Sequence, residues 1–123
     1  MESKSIFKNN DLKLELQENN REIMLQWSGE SREREPGAFL TPIFDDVLSL
    51  NMQKRKKIVM DFRQLEFMNS STVTPIIRLI EKVRNGENEI LILYQRNADW
   101  QELCFSALNV FITKDRRIDI QGI

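Results

Sequence analysis

The chain is predicted to fold as α/β, one domain over residues 1–123 with a mixed sheet of four to five strands, a parallel βαβ core and three to four helices. Three observations point there. Residues 58–62 and 90–94 are short, almost wholly apolar runs of the length of buried strands. Between them Ile76, Ile77, Leu79, Ile80 and Val83 recur at the spacing of one helix face. Upstream, Leu12, Leu14 and Leu16 alternate with polar residues, the period of a half-buried strand. A strand, a helix and a strand joined by short connections make two parallel neighbours with a right-handed crossover.

Taken in order, residues 1–10 lack the apolar core of a signal peptide and are expected to be loosely ordered. After the first strand, Glu18-Asn19-Asn20-Arg21 suits a turn. Residues 23–27 return as a second strand, which Ser28-Gly29-Glu30 ends. The mixed charges of residues 31–35, followed by Pro36-Gly37, read as a solvated loop. Residues 38–50 carry Phe39, Ile43, Val47 and Leu50 at spacings of three and four, widened by Leu40, Phe44 and Leu48, which is an amphipathic helix. Thr41-Pro42 suits its first turn, since proline at the first helical position gives up only an N–H that is unpaired anyway. A start near Thr41 is therefore expected.

Lys54-Arg55-Lys56-Lys57 is the only basic run, without the interleaved aromatic residues of a nucleic-acid surface, so it reads as a solubilising loop before strand 58–62. The next helix spans about residues 74–83 and stops at Arg84-Asn85-Gly86. Asn97 is expected to cap a third helix through about Leu108, with Trp100, Leu103, Cys104 and Ala107 facing inward. Trp100, Phe105 and Phe111 are expected in the core. Residues 117–121 alternate again as a final strand.

With 41% hydrophobic and 30% charged residues the balance is that of a soluble globular domain. A formal net charge of -1 favours neither nucleic acid nor an anionic membrane, and no apolar run is long enough to insert in a bilayer. The single cysteine, Cys104, precludes an internal disulfide and fits a reducing, cytoplasmic setting. Histidine is absent, which excludes Ser-His-Asp and Cys-His catalysis and His-ligated metal sites. Asp45, Asp46 and Asp61 form no carboxylate motif, and no glycine-rich phosphate loop is present. No catalytic residue, metal or cofactor is expected, and the chain is not expected to be an enzyme. Ser70 as a nucleophile would need a base such as Lys82, and no spacing supports that pair.

The stretch Phe67-Met68-Asn69-Ser70-Ser71-Thr72-Val73-Thr74-Pro75-Ile76 sets several hydroxyls between a strand and a helix. A helix start holds added negative charge, so modification there could switch a surface. Local pattern alone reads such residues as caps. Pro75 has no N–H, which fits a helix beginning at or after Thr72, with Ser70 just outside and Ser71, Thr72 or Thr74 as the cap. Met68 is expected to pack beneath the loop.

Here the chain resembles the STAS domains, above all the bacterial anti-anti-sigma factors, over roughly residues 12–121. In that family a strand ends in an apolar-apolar-Asp-Ser-Ser-Gly loop that opens a helix. Phe67-Met68-Asn69-Ser70-Ser71-Thr72 is similar to it, with Asn69 at the aspartate position and Thr72 at the glycine position. Leu25-Gln26-Trp27-Ser28-Gly29-Glu30 is similar to the family's second strand, and residues 100–111 to its last helix. Gly29-Glu30-Ser31 and Asn69-Ser70 resemble the SiaC-like branch of STAS-related regulators more closely.

The resemblance implies a phosphoprotein of a partner-switching, signal-transducing pathway, with Ser70 as the phosphorylated residue and Ser71 or Thr72 as lesser candidates. Met68, Asn69, Ser70, Ser71 and Thr72 would form the partner-binding loop. The implied partners are a cognate protein kinase of histidine-kinase-like (GHKL-type) fold or an anti-sigma factor, and a metal-dependent serine/threonine phosphatase. A downstream effector such as a diguanylate cyclase is also implied. Any ATP would belong to the kinase. The alternative is a STAS adaptor subunit of a transporter or scaffold complex, which needs no phosphorylation.

Overall fold

The computed structural model describes residues 3–123. Its elements are β1 (Ser3–Asn9), β2 (Leu12–Glu18), β3 (Glu22–Ser31), α1 (Gly37–Lys54), β4 (Lys57–Met68), α2 (Ser70–Asn85), β5 (Ile90–Tyr94), α3 (Asp99–Ser106) and β6 (Ile118–Gly122). A 3-10 turn, Ala107–Phe111, follows α3. The strands form one mixed α/β sheet in the order β1-β2-β3-β4-β5-β6. β1, β2 and β3 pair antiparallel, whereas β3, β4, β5 and β6 run parallel. The expected parallel neighbours are thus β4 and β5, joined through α2.

The sheet has six strands rather than four to five, because the segment expected to be loose forms β1. Phe7 lies opposite Leu14 and packs against the core, so the ladder with β2 orders a segment with little periodicity of its own. β3 also runs past its expected end. Gly29 adopts φ 81 within the strand, and the chain continues to Ser31.

β4 is longer still, reaching Met68, and its register against β3 shifts twice. Each shift adds a residue to β4, so the inward-facing set passes from Ile58, Met60 and Phe62 to Leu65 and then Met68. Such bulges take carbonyls off the ladder. Fully buried Gln101 answers them, its Nε2 donating to the carbonyls of Phe62 (2.8 Å) and Leu65 (2.9 Å), while its Oε1 accepts from the Gln95 N–H at 2.7 Å.

The helices bury their inner faces against one side of the sheet in a single cluster. A chain of rings, Phe44-Trp27-Phe62-Phe105-Tyr94, crosses it at centroid separations of 6.0, 4.7, 4.7 and 5.6 Å.

α1 begins at Gly37, not near Thr41. The carbonyl of Pro36 closes its first turn with the N–H groups of Phe39 and Leu40, and Pro42 sits inside the helix. Burial of Leu40, upstream of the proline, holds the extra turn at the expense of one helical hydrogen bond. α3 is also rotated relative to expectation. Gln101 and Phe105, with Leu108 beyond, face the core, whereas Leu103 is 78% exposed and Trp100 and Cys104 lie at the margin. Asn97 does not cap this helix; Ala98 precedes it without a side-chain cap. Phe105 is in the core as expected, with Trp100 and Phe111 packed against it.

Candidate functional site: the Asn69-Ser70 junction

The C-terminal end of β4 delivers Asn69 to the start of α2. Asn69 is the cap, in extended conformation, and the helix begins at Ser70 rather than at or after Thr72. Pro75 therefore lies inside the helix, where the lost hydrogen bond is tolerated because Thr72 is fully buried upstream of it. Neither Ser71, Thr72 nor Thr74 serves as the cap.

Four groups hold this junction. The Asn69 Oδ1 accepts from the Thr72 N–H at 3.1 Å and from its Oγ1 at 2.6 Å. Since the Thr72 proton goes to Asn69, the Ser31 hydroxyl, 2.7 Å away, is the one that donates to Thr72. The Asn69 Nδ2 donates to the carbonyl of Glu33 at 2.9 Å, and its backbone N–H to the carbonyl of Ser31 at 3.0 Å. The loop at residues 32–36 is thereby tied to the helix start, and the Asn10 side chain, donating to the Glu33 carboxylate, ties it to the β1–β2 turn. A cavity of about 460 Å³ opens beside this loop, between Asn10, Asp11, Glu30, Arg32 and Phe39.

The candidate residues thus separate. Thr72 is sealed in and hydrogen-bonded on two sides, and Met68 is buried beneath the loop as expected. Ser70 and Ser71 are exposed, and among the described residues their hydroxyls have no hydrogen-bond partner. Phe67 is also exposed, and the Arg32 guanidinium stands 4.3 Å from the centre of its ring. Arg32 bonds Glu30 at 2.7 Å, which, with its charge, keeps the Glu30 carboxyl below the ordinary range. The Cys104 thiol is half-buried, and burial pushes its pKa up, away from a reactive thiolate.

Sequence reading assigns Ser31, Arg32 and Glu33 to a solvated loop, yet Ser31 and Glu33 both brace the junction. No local pattern marks either residue, because partners some forty residues apart meet only in the fold; the resemblance of Gly29-Glu30-Ser31 is the one pointer to Ser31.

An amide at position 69 uses two kinds of atom, an acceptor toward Thr72 and a donor toward Glu33. Asn69→Asp is expected to set a carboxylate oxygen against the Glu33 carbonyl. A charge at the helix start returns ~0.3–1 kcal/mol, less than the ~1–3 kcal/mol of two facing acceptors. A net loss of about 1 kcal/mol at neutral pH follows, read as a lower urea midpoint at unchanged slope. The difference from the parent should shrink at acid pH, where the protonated carboxyl of the variant can donate to Glu33. A midpoint equal to or above the parent's at neutral pH would contradict this geometry.

Compared with known proteins, the chain matches no family model and no curated protein.

Proposed function

We propose that this chain is a non-enzymatic, cytoplasmic regulatory protein of the STAS-like kind, switched by phosphorylation at Ser70. The observation that carries the reading is the division among the hydroxyls at the junction. Thr72 is committed to Asn69 and Ser31, whereas Ser70 stands exposed at the first position of α2. There a phosphate adds ~1.5–2 negative charges beside unpaired backbone N–H groups and the positive end of the helix dipole, so the domain can accept it without unfolding. Of the two exposed serines, the resemblance selects Ser70, the hydroxyl directly after Asn69.

The partner feels the phosphate most. A kinase or anti-sigma surface matched to neutral Ser70 must desolvate or pair the new charge. Leaving it unpaired costs several kcal/mol, on the order of two decades or more in affinity. A metal-dependent phosphatase resets the switch, and the output is release of a sigma factor or control of an effector such as a diguanylate cyclase.

The test incubates the protein with ATP and a candidate kinase of histidine-kinase-like fold and locates phosphate by mass spectrometry. Phosphate is expected on the parent and on Ser71→Ala, with none on Ser70→Ala. Phosphate on Ser71 alone would move the site by one residue. A kinase that binds the chain tightly without modifying it would favour the adaptor role.

A further inference from the structure

The two edges of the sheet are finished differently. At β6 the Ile90 N–H donates to the Arg117 carbonyl and the Ile123 N–H to the Tyr94 carbonyl, so the polar backbone groups of Ile118, Ile120 and Gly122 alternate outward. Thr113 takes both groups of Ile118, donating its N–H to the carbonyl at 3.1 Å and accepting from the N–H through Oγ1 at 3.0 Å. The Asp119 Oδ1 accepts from the Ile120 N–H at 2.9 Å, and Arg96 donates to the Gly122 carbonyl at 3.1 Å. The chain's own side chains and loops thus close most of that edge to a further strand.

The β1 edge is open. The Glu30 N–H donates to the Asp11 carbonyl, which turns the odd-numbered residues of β2 toward β3 and the even-numbered ones toward β1. Leu12, Leu14 and Leu16 therefore exchange hydrogen bonds with Asn9, Phe7 and Ser5. The backbone N–H and C=O groups of Lys4, Ile6 and Lys8 then point out of the sheet, and among the described residues nothing bonds them. Their side chains share the face away from the helices, since Phe7, between them, packs against the core. Ile6 is 50% exposed.

Charge gives this edge a preference. Lys8 lies opposite Lys13 in a pair without mutual hydrogen bonds, the kind that brings side chains closest. Like charges so placed are unfavourable, and among the described residues neither lysine has an ion-pair partner. Lys4 is answered by Glu15 of β2 at 3.2 Å. β1 itself, Ser3–Asn9, contains no acidic residue.

We propose that the β1 edge binds an extended acidic segment of another protein, which joins the six-stranded sheet as a further strand. The backbone of that segment bonds the outward groups of Lys4, Ile6 and Lys8. Its carboxylates stand opposite the two lysines and flank an apolar residue opposite Ile6, while the residues between cover the open side of the half-buried Phe7 ring. A second copy of this chain fits less well. Antiparallel pairing of two β1 strands centred on Ile6 sets Lys4 against Lys8 twice, and a slip of two residues in either direction sets a lysine against Ile6. Lysines on an edge guard against pairing of like copies, and the same charges favour a strand of opposite sign. The Ser70 junction lies at the end of β4, so neither reading depends on the other.

The test uses the full chain and labelled peptides of about nine residues, the length of a long strand. One is built around Glu-Val-Ile-Val-Glu and the other around Lys-Val-Ile-Val-Lys. Fluorescence anisotropy is expected to show the glutamate peptide binding about tenfold or more tightly than the lysine peptide. Methylating the backbone nitrogen of its isoleucine should abolish binding, because that N–H faces β1. Methylating a valine nitrogen, which faces away, should leave binding intact. Ile6→Pro gives up only an outward N–H, which an edge strand tolerates. That variant and Lys8→Glu, both checked for folding by circular dichroism, should each weaken binding of the glutamate peptide about tenfold or more. Equal binding of the two peptides, binding of neither, or binding indifferent to isoleucine methylation would overturn the proposal. So would a dimer in sedimentation velocity that Ile6→Pro dissolves.

Discussion

Gly29→Ala is expected to destabilise the fold by about 3 kcal/mol or more, one of the largest effects of a single methyl group in this chain. Gly29 adopts φ 81, a left-handed conformation that costs an L-residue ~1–2 kcal/mol. The added Cβ would also fall 2.0 Å from the carbonyl oxygen of Asp11 and 3.1 Å from its carbon. Both are backbone atoms, so no side-chain rotation relieves the clash. The Asp11 carbonyl accepts from the Glu30 N–H at 3.0 Å, and moving it breaks the bond that leads the chain into Ser31. Damage should therefore reach the Ser31–Thr72 hydrogen bond at the junction.

Gly37→Ala supplies the contrast. Its Cβ would meet Thr41 Oγ1 at 3.6 Å and Pro75 Cγ at 3.9 Å, ordinary contacts, and alanine is the better helix former by ~0.5–1 kcal/mol. Urea unfolding should move the two midpoints in opposite directions. Equal midpoints would show that the β1–β2 turn yields freely to β3.

Arg63→Met should destabilise the protein by about 2–3 kcal/mol at neutral pH, with a diagnostic pH dependence. The Asp61 carboxylate is nearly fully buried and receives the Arg63 backbone N–H and Nε, each at 3.0 Å, and a terminal guanidinium nitrogen at 2.8 Å. Breaking a buried pair typically costs ~3–5 kcal/mol. The lower figure applies here because the Arg63 side chain is 39% exposed and water screens it. Burial pushes the Asp61 pKa up, but the Arg63 hydrogen bonds and charge outweigh it and leave the carboxyl below its ordinary value.

In the parent, then, the pair contributes fully above the carboxyl's unfolded-state pKa, and its contribution fades as pH falls through the lower folded value. Without the guanidinium, burial dominates and the Asp61 pKa rises above ordinary. The variant regains stability relative to the parent as acid protonates that group. The gap between the two urea midpoints should be wide at pH 7 and narrow toward pH 4. A gap independent of pH would mean that the lost packing of the arginine stem, and not the stranded charge, accounts for the effect. Asp119, also held below its ordinary range despite its burial, titrates alike in both proteins and cancels from the comparison.

Much of the architecture can be read locally. The runs at residues 58–62 and 90–94, the alternation of Leu12, Leu14 and Leu16, and the stripe from Ile76 to Val83 each lie in the expected element. The exposure of Ser70 and the burial of Met68 also agree with the reading of the junction. In each case the residues that report the element are the ones that build it, so a period of two or of three to four suffices.

Elsewhere the deciding partner is distant. β1 depends on Phe7 meeting Leu14, and the outer half of β4 depends on two bulges whose carbonyls are answered by Gln101. That glutamine also explains why α3 turns Leu103 outward: a polar residue reads as surface until three backbone groups from other segments surround it. At the junction, Asn69 rather than a hydroxyl became the cap because its amide could bond Thr72 and the Glu33 carbonyl at once. Periodicity records which side of an element is apolar. It carries no record of which buried donor will meet which acceptor thirty or forty residues away, and those pairings settled the helix starts, the phase of α3 and which hydroxyls at the junction remain free.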